Sequence, residues 1–415
     1  MITDEMRDNK VNIKYKVENF DIIFENGDIE EIEAGMVRHL YIERDYDNLY
    51  FPLINISVVM DDLIYHRIKQ ENDTVRFRVR IIRNIYNKDN ELTKYELFCN
   101  KTFRCFMDKE NVVKDNDLVK IKREKDDATH PGYIANPREF YIFLDNVIDC
   151  KKKLNLSVEE SDLTDLVIYL FNQRNIDKLL MTKLDNSTSV NNMIIPNGNL
   201  IENINFLNET LGFYKKGMLV FFDIDNAYLI DKNSKCTSWR PNEVRITHIH
   251  VSNNKENDSQ LNGQYIDKER KQCHLFSHNK RIDMKNSNII NDQIHGNEVT
   301  LLNAKTNSVQ QITTNTTQIG NPNSNFVNSK YSTNNFVQST IQTRLYESEI
   351  LCTMSFLGID VDVFTPNKEV VITYEDPEMH KKYSGNYRIL KLTSILRKDS
   401  KELVGEIQVV LAKQE

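Results

Sequence analysis

The chain has 415 residues, more than one hydrophobic core normally serves, so about two to four domains are expected. A formal net charge of −7 lacks the basic excess of a nucleic-acid binder, and a hydrophobic share of 40% lies well above the disordered range. Six scattered cysteines without a C-x-x-C pair read as free thiols of a reducing cytosol, and the absence of a signal-peptide core or an 18-residue apolar run predicts folding in the cytoplasm without membrane insertion.

The first 125 residues read as strands. Over 49–60 (LYFPLINISVVM), Ile54, Ile56 and Val58 alternate with Asn55 and Ser57, the period of a half-buried strand. Pro52 has no N–H to give a ladder, so it belongs at the strand's start or on an edge. Asp61 and Asp62 offer an N-cap for a short helix carrying Leu63, Ile64, Tyr65 and Ile68. After Asn72 and Asp73 the alternation is plainest. Val75, Phe77, Val79 and Ile81 take one face, and Arg76, Arg78 and Arg80 the other. The pattern continues over 95–107.

Between 157 and 211 the period turns helical. Ser157 with Glu160 fits a capping box ahead of Leu163, Leu166, Val167 and Leu170. Asn199 is placed to cap a second helix through Leu200, Ile201, Ile204, Leu207 and Leu211, with Gly212 just past its end. A hairpin is expected next, 218–224 and 228–230, turning at Asp225 and Asn226. Residues 126–240 thus read as a small α/β domain.

Residues 245–251 (RITHIHV) alternate again. From about 253 to 342 Asn, Ser, Thr, Gln and Lys dominate, which predicts long polar loops or an exposed insertion, with 299–302 as a buried strand inside it. Strands resume at 351: one at 369–374, one at 387–393, then a turn at 398–401 and a last strand with Ile407, Val409 and Leu411 on one face.

Few residues point to chemistry. His248 and His250 lie two apart on a strand, so both rings share a side as a two-histidine metal site needs, and Cys273, His274 and His278 are further donors. No zinc-finger or zincin spacing joins them, and surface or interface histidines are the simpler reading. Asp223, Asp225 and Asp231 surround the hairpin turn, but the glycine and terminal Glu of a calcium loop are missing and turn chemistry accounts for them. There is no G-x-S-x-G elbow, no G-x-x-x-x-G-K-[ST] and no G-x-G-x-x-G, so no enzyme activity and no cofactor is expected. Three guanidinium groups on one strand face repel unless carboxylates lie opposite. Local acids are the plainer source; acids of a neighbouring subunit would make Arg76, Arg78 and Arg80 an interface.

The run 351–413 has Gly358, then Pro366, Asn367 and Lys368 opening an apolar strand, then Ser384, Gly385, Asn386, Tyr387, Arg388 and Ile389. This layout resembles the tube-type β-module of phage tail hub proteins. Asn367 stands where that module has glycine, and asparagine tolerates the left-handed turn. Gly212, Phe213 and Tyr214 with 221–225 (FFDID) are similar to the hub's second domain, and 51–80 looks like its first module.

The resemblance implies a β-rich α+β fold. Two tail-tube-type β-barrel or sandwich domains, over 1–125 and 241–415, would flank the α/β domain, the second interrupted by the polar insertion. It also implies a homotrimer whose barrels form a pseudo-sixfold ring. Such a ring joins the hexameric tail tube protein to a central spike or needle, beside other baseplate proteins, with DNA only in transit. Pro52, Gly212, Gly358, Pro366, Asn367, Gly385 and Tyr387 are then structural turn residues of a non-enzymatic virion tail component assembled in the host cytoplasm. A tube initiator or tail-tip protein, a tail-associated hydrolase and an adhesin are the alternatives.

Overall fold

Seven strands come from the first third of the chain: β1 (Lys10–Ile23), β2 (Ile29–Ile32), β3 (Val37–Asp45), β4 (Leu53–Asp61), β5 (Arg76–Tyr86), β6 (Leu92–Phe106) and β7 (Ala135–Leu144). In β1 the alternation buries Ile13, Tyr15 and Val17, slips one residue at a bulge, and resumes with Phe20 and Ile22. β4 is enclosed on both faces, because Asn55 and Ser57 are buried along with Ile54, Ile56 and Val58. Asp61 accepts the Leu63 N–H at 2.7 Å where helix α1 (Asp62–Glu71) begins. The structure, a computed structural model, describes residues 9–71, 74–106, 135–174, 176, 178–214, 217–232, 244–252, 263–277, 280–284, 297–303, 308–313, 323–328, 350–366, 368–399 and 402–414.

The middle of the chain forms α2 (Asp145–Lys151), β8 (Leu154–Asp162), α3 (Leu163–Asn172), β9 (Leu179–Met181), β10 (Ser189–Gly198), α4 (Leu200–Leu211), β11 (Met218–Phe222) and β12 (Ala227–Asp231). Ser157 and Glu160 lie inside β8 rather than at a helix start. Leu154, Leu156 and Val158 turn toward the second core while β8 pairs with β10, so strand pairing wins over the local cap and α3 begins only after Asp162. At α4 a capping box does form: Asn199 Oδ1 accepts the Glu202 N–H at 3.0 Å, and Glu202 Oε2 accepts the Asn199 N–H at 2.8 Å.

The remaining elements are β13 (Ile246–Val251), β14 (Gln264–Asp267), β15 (Gln272–Ser277), β16 (Lys280–Met284), β17 (Asn297–Asn303), β18 (Ser308–Thr313), β19 (Asn323–Asn328), β20 (Ile350–Leu357), β21 (Glu369–Tyr374), α5 (Pro377–Tyr383), β22 (Gly385–Asp399) and β23 (Glu402–Lys413). The expectation of loops across 253–342 fails at β14, β15 and β16, which join the main sheet. Cys273 and Leu275, both fully buried, supply the inward face of β15. A strand that needs two apolar residues leaves little mark on composition. β17 spans the stretch expected as a strand at 299–302 and pairs with β18 and β19 in a separate three-stranded sheet.

The main sheet closes into an eleven-strand circuit, β14-β15-β13-β21-β22-β3-β4-β7-β6-β5-β1, with β1 pairing back to β14. β23 lies across this circuit. It pairs along its length with β22, and on its other edge with β20 and, through Val404 and Leu403, with Lys14 and Tyr15 of β1. It thereby divides the circuit into two closed lobes that share β1, β22 and β23. β22 changes neighbours at the register shift between Ile389 and Lys391: Gly385, Asn386 and Tyr387 pair with β21, while 391–397 pair with β3. The strands of 1–125 are therefore completed by β7 and by the C-terminal hairpin.

The β11–β12 hairpin ties the helical part to this sheet. Leu219, Phe221, Ile224, Tyr228 and Ile230 enter the sheet's core. Val220, Phe222, Ala227 and Leu229, alternating with them, enter the second core with α3 and α4. One hairpin is thus buried on both faces.

Candidate functional site

For a chain whose sequence offers no catalytic motif, the informative places are where charge and titratable groups collect. The outward face of β5 is one. Arg76 reaches Asp145 at 3.6 Å, Arg78 reaches Asp21 at 2.5 Å, and Arg80 reaches Glu18 at 2.7 Å. The mutual repulsion of the three guanidinium groups is thus answered within the chain, and each remains about half exposed toward solvent.

A second cluster sits where the two lobes meet. Arg83 of β5 contacts Asp360 and, at 2.9 Å, Asp362, both in the segment after β20, and its Nε lies 3.1 Å from Glu96. The Tyr15 hydroxyl accepts the Val361 N–H at 3.2 Å, and Asp360 N–H donates to Gln264 of β14 at 3.0 Å. Burial, then the adjacent Asp362, pushes the Asp360 carboxyl upward against the pull of Arg83. No periodic signal marks this cluster in the sequence, since Arg83 and Asp360 are 277 positions apart.

The third cluster is a row of rings on the outer face of β13, β15 and β14. His248 stacks on His274 at 5.0 Å, His250 on His274 at 5.4 Å and on Phe276 at 5.0 Å, and Tyr265 meets His274 at 5.5 Å. Burial lowers the proton affinity of all three imidazoles, His250 to about 4. The ring planes of His248 and His250 lie within 13° and 17° of His274, and His250 Nε2 lies 3.1 Å from His274 Nδ1. Among the described residues no group of three metal-ligating side chains is placed to hold an ion. His278 lies outside the described residues.

The turn residues take up specific places. Pro52 directly precedes β4, and Gly212 ends α4 at φ 71° with its N–H donating to Asn208 O. Gly358, at φ 68°, accepts the Ile13 N–H and donates to Gly405, linking β20 to β1 and β23. Pro366 lies in the turn before β21, Asn367 is outside the described residues, and Gly385 opens β22 at φ 144°. Tyr387 is buried and donates to Tyr383 O at 2.6 Å. In the hairpin, Asp223 accepts from Arg44 and Asp225 lies 3.3 Å from Lys101. Asp231 donates its backbone N–H to Thr182 Oγ1 at 2.9 Å.

Nucleophile candidates are poorly placed among the described residues. Burial pushes the Cys99, Cys150 and Cys273 thiols up to about 12, far from the thiolate form. Ser384 Oγ lies 3.0 Å from His380 Nδ1, but it also accepts the Tyr374 N–H, and His380 Nδ1 lies 3.1 Å from Tyr374 O. These contacts fasten the end of α5 to β21.

A family profile described as bacteriophage PBS1 gene 109 protein matches residues 5–414. The chain belongs to that family. Solved structures similar to this family member include the tail protein from Neisseria meningitidis MC58, with 11% identity, 97% of this chain and 96% of that one covered, and a TM-score of 0.49. A 43 kDa tail protein of prophage MuSo2 from Shewanella oneidensis has 10% identity, coverage of 95% and 98%, and a TM-score of 0.49. The E. coli c3393 protein, described as a type VI secretion component similar to the T4 tail proteins gp27 and gp5, has 7% identity, coverage of 97% and 77%, and a TM-score of 0.46. No curated protein sequence matches the chain.

Proposed function

We propose that this protein is the structural hub of a phage tail baseplate, acting without catalysis. In this reading three copies form a pseudo-sixfold ring that joins the hexameric tail tube protein to a central spike or needle, in contact with other baseplate proteins. Cargo passes through the ring's channel, and assembly occurs in the host cytoplasm before the hub takes its place in the virion tail.

The observation that carries the proposal is the shared C-terminal hairpin. β22 and β23 run through both closed lobes, so one chain holds two barrel-like units in a fixed relation. Three such chains present six, which is what a trimer needs to meet a sixfold tube. The described lobe interior around Leu40, Ile54, Phe103 and Ile224 is filled by apolar side chains. A channel in this reading therefore runs between subunits. The half-exposed outer sides of Arg76, Arg78 and Arg80 are the proposed subunit contact.

Class-averaged electron microscopy of the purified full chain tests this. A closed trimeric ring with six lobes and a central channel is expected. A hexameric ring would favour a tube-initiating protein, and a stable monomer that binds glycan or cleaves peptidoglycan would overturn the hub reading. Arg80→Glu is expected to weaken the ring while leaving the monomer folded. Unchanged assembly would remove β5 from the interface.

A further inference from the structure

The histidine row lies beside a short closure of the sheet. In the register, Val371, His248, His274, Tyr265 and Lys10 face one another in sequence across β21, β13, β15, β14 and β1. β14 is the strand that closes the eleven-strand circuit, and among the described residues it meets β1 through two residue pairs, Lys10 with Tyr265 and Val11 with Gln264. By contrast β1 pairs with β5 over 12–23. β14 is held by its pairing with β15, by the Asp360 N–H on Gln264 and by the Gly263 N–H on Leu357 O, so a shift of β15 away from β13 loads the short β14–β1 contact.

The rings can hold that position only while they are mostly neutral. His250 Nε2 and His274 Nδ1 are 3.1 Å apart, a contact in which one nitrogen must be unprotonated to accept. Among the described residues the buried His248 Nε2 has no hydrogen-bond partner, so a proton there gains no acceptor from them. The charged surroundings are sparse. His248 faces Glu369 of β21, and His274 faces Asp267 and Arg270 of the β14–β15 turn. The β21 neighbours in register with His248 and His250 are Val371 and Thr373, and Lys10 stands beyond Tyr265. On the inner side of β15, Cys273 faces Lys368 and Asp360. Two carboxylates thus stand near three rings that would each become cationic.

We infer that His248, His250 and His274 form an acid-sensitive clasp: neutral rings stack and hold β15 against β13, and protonation as the pH falls below neutrality parts them and releases β14 from β1. The clasp depends on the fold alone and not on the hub reading.

Hydrogen–deuterium exchange of the full chain, corrected for intrinsic rates, tests it. Between pH 7.5 and 5, protection over 264–277 is expected to fall by about tenfold or more relative to β5 and β6, since each pKa unit of displacement is a factor of ten. The triple variant His248→Phe, His250→Phe, His274→Phe keeps the rings and removes the protons, so it should lose this pH response. The single variant His250→Phe serves if the triple variant does not fold, and should reduce the response. The same fall in protection in the phenylalanine variants would overturn the clasp. So would imidazole resonances of the wild-type chain that titrate at or above the ordinary histidine value.

Discussion

Arg44 Nε lies 2.8 Å from both carboxylate oxygens of Asp223, and both side chains are withdrawn from solvent. The pair fastens β3 to the tip of the β11–β12 hairpin, beside Tyr46 and Tyr228, whose hydroxyls burial keeps from ionising. Among the described residues Arg44 Nη1 has no hydrogen-bond partner, and Asp223 is the acid in direct contact with the guanidinium, with Asp362 acting on it from farther away. Losing the acid leaves a buried charge alone, at a cost of about 3–5 kcal/mol. Asp223→Leu is expected to lower the unfolding free energy in urea by that amount. The double variant Arg44→Met, Asp223→Leu should recover most of it, because an apolar pair of similar volume often matches a buried ion pair. Equal losses in the two proteins would refute the argument.

Ile224 makes the same hairpin a plug. It is 8% exposed and belongs to the same buried core as Leu40, Ile42, Val79, Ile81 and Phe103, in the lobe that holds β3, β5 and β6. Ile224→Ala removes three carbons from a close-packed site and leaves a void, which costs about 2–5 kcal/mol. Thermal and urea unfolding of the variant measure it, and a loss below about 1 kcal/mol would mean that the hairpin tip is not a core element.

The strand most legible in the sequence was β5, whose inward residues recur every second position, whereas β4 was visible as a strand but not as one buried on both faces, since its polar Asn55 and Ser57 read as an outward side. The hairpin over β11 and β12 was legible too, but not its double burial, because both of its faces are apolar and a continuous apolar run has no direction. The polar stretch hid β14 and β15, since Cys273 and Leu275 were too few to shift its composition. Closure of the sheet was beyond any local pattern: Lys14 pairs with Val404 across nearly the whole chain. The charged sites fail for the same reason. Arg44 sits at a strand position that alternation makes buried, and only the distant Asp223 explains why a cation stands there. His248 and His250 were visible as a pair on one face, whereas the register that brings His274 between them comes from the parallel pairing of β13 and β15.

Arg78 and Arg80 look alike in sequence but hold unlike partners. Asp21 is fully buried and receives Arg78 together with Asn19 Nδ2 at 2.8 Å, while Glu18, the partner of Arg80, is itself exposed. Arg78→Ala leaves a buried carboxylate short of a donor, a cost of about 1–3 kcal/mol. Arg80→Ala breaks a solvated pair worth about 0–1 kcal/mol. Urea unfolding of the two variants under conditions that keep the protein monomeric should rank them in that order. The reverse ranking would show that the strip's energetics lie elsewhere.

Asp360 gives the lobe junction a pH dependence of its own. Burial and the adjacent Asp362 raise its carboxyl to about 6, although Arg83 pulls the other way. An unfolded aspartate titrates near about 3.9, so between the two values the folded state holds more proton than the unfolded state. For an acid with a raised folded value the sign is clear. Stability falls as the pH rises through this window and is then level above it. Asp360→Asn removes the titration but keeps the shape, and Arg83 retains Asp362 and Glu96. The unfolding free energy of the wild type minus that of the variant should therefore drop between about pH 4 and pH 6. The histidine row is present in both proteins and cancels in that difference. A difference that climbs with pH over the same range would mean that the Arg83 contact outweighs burial, and that Asp360 is held as a carboxylate throughout.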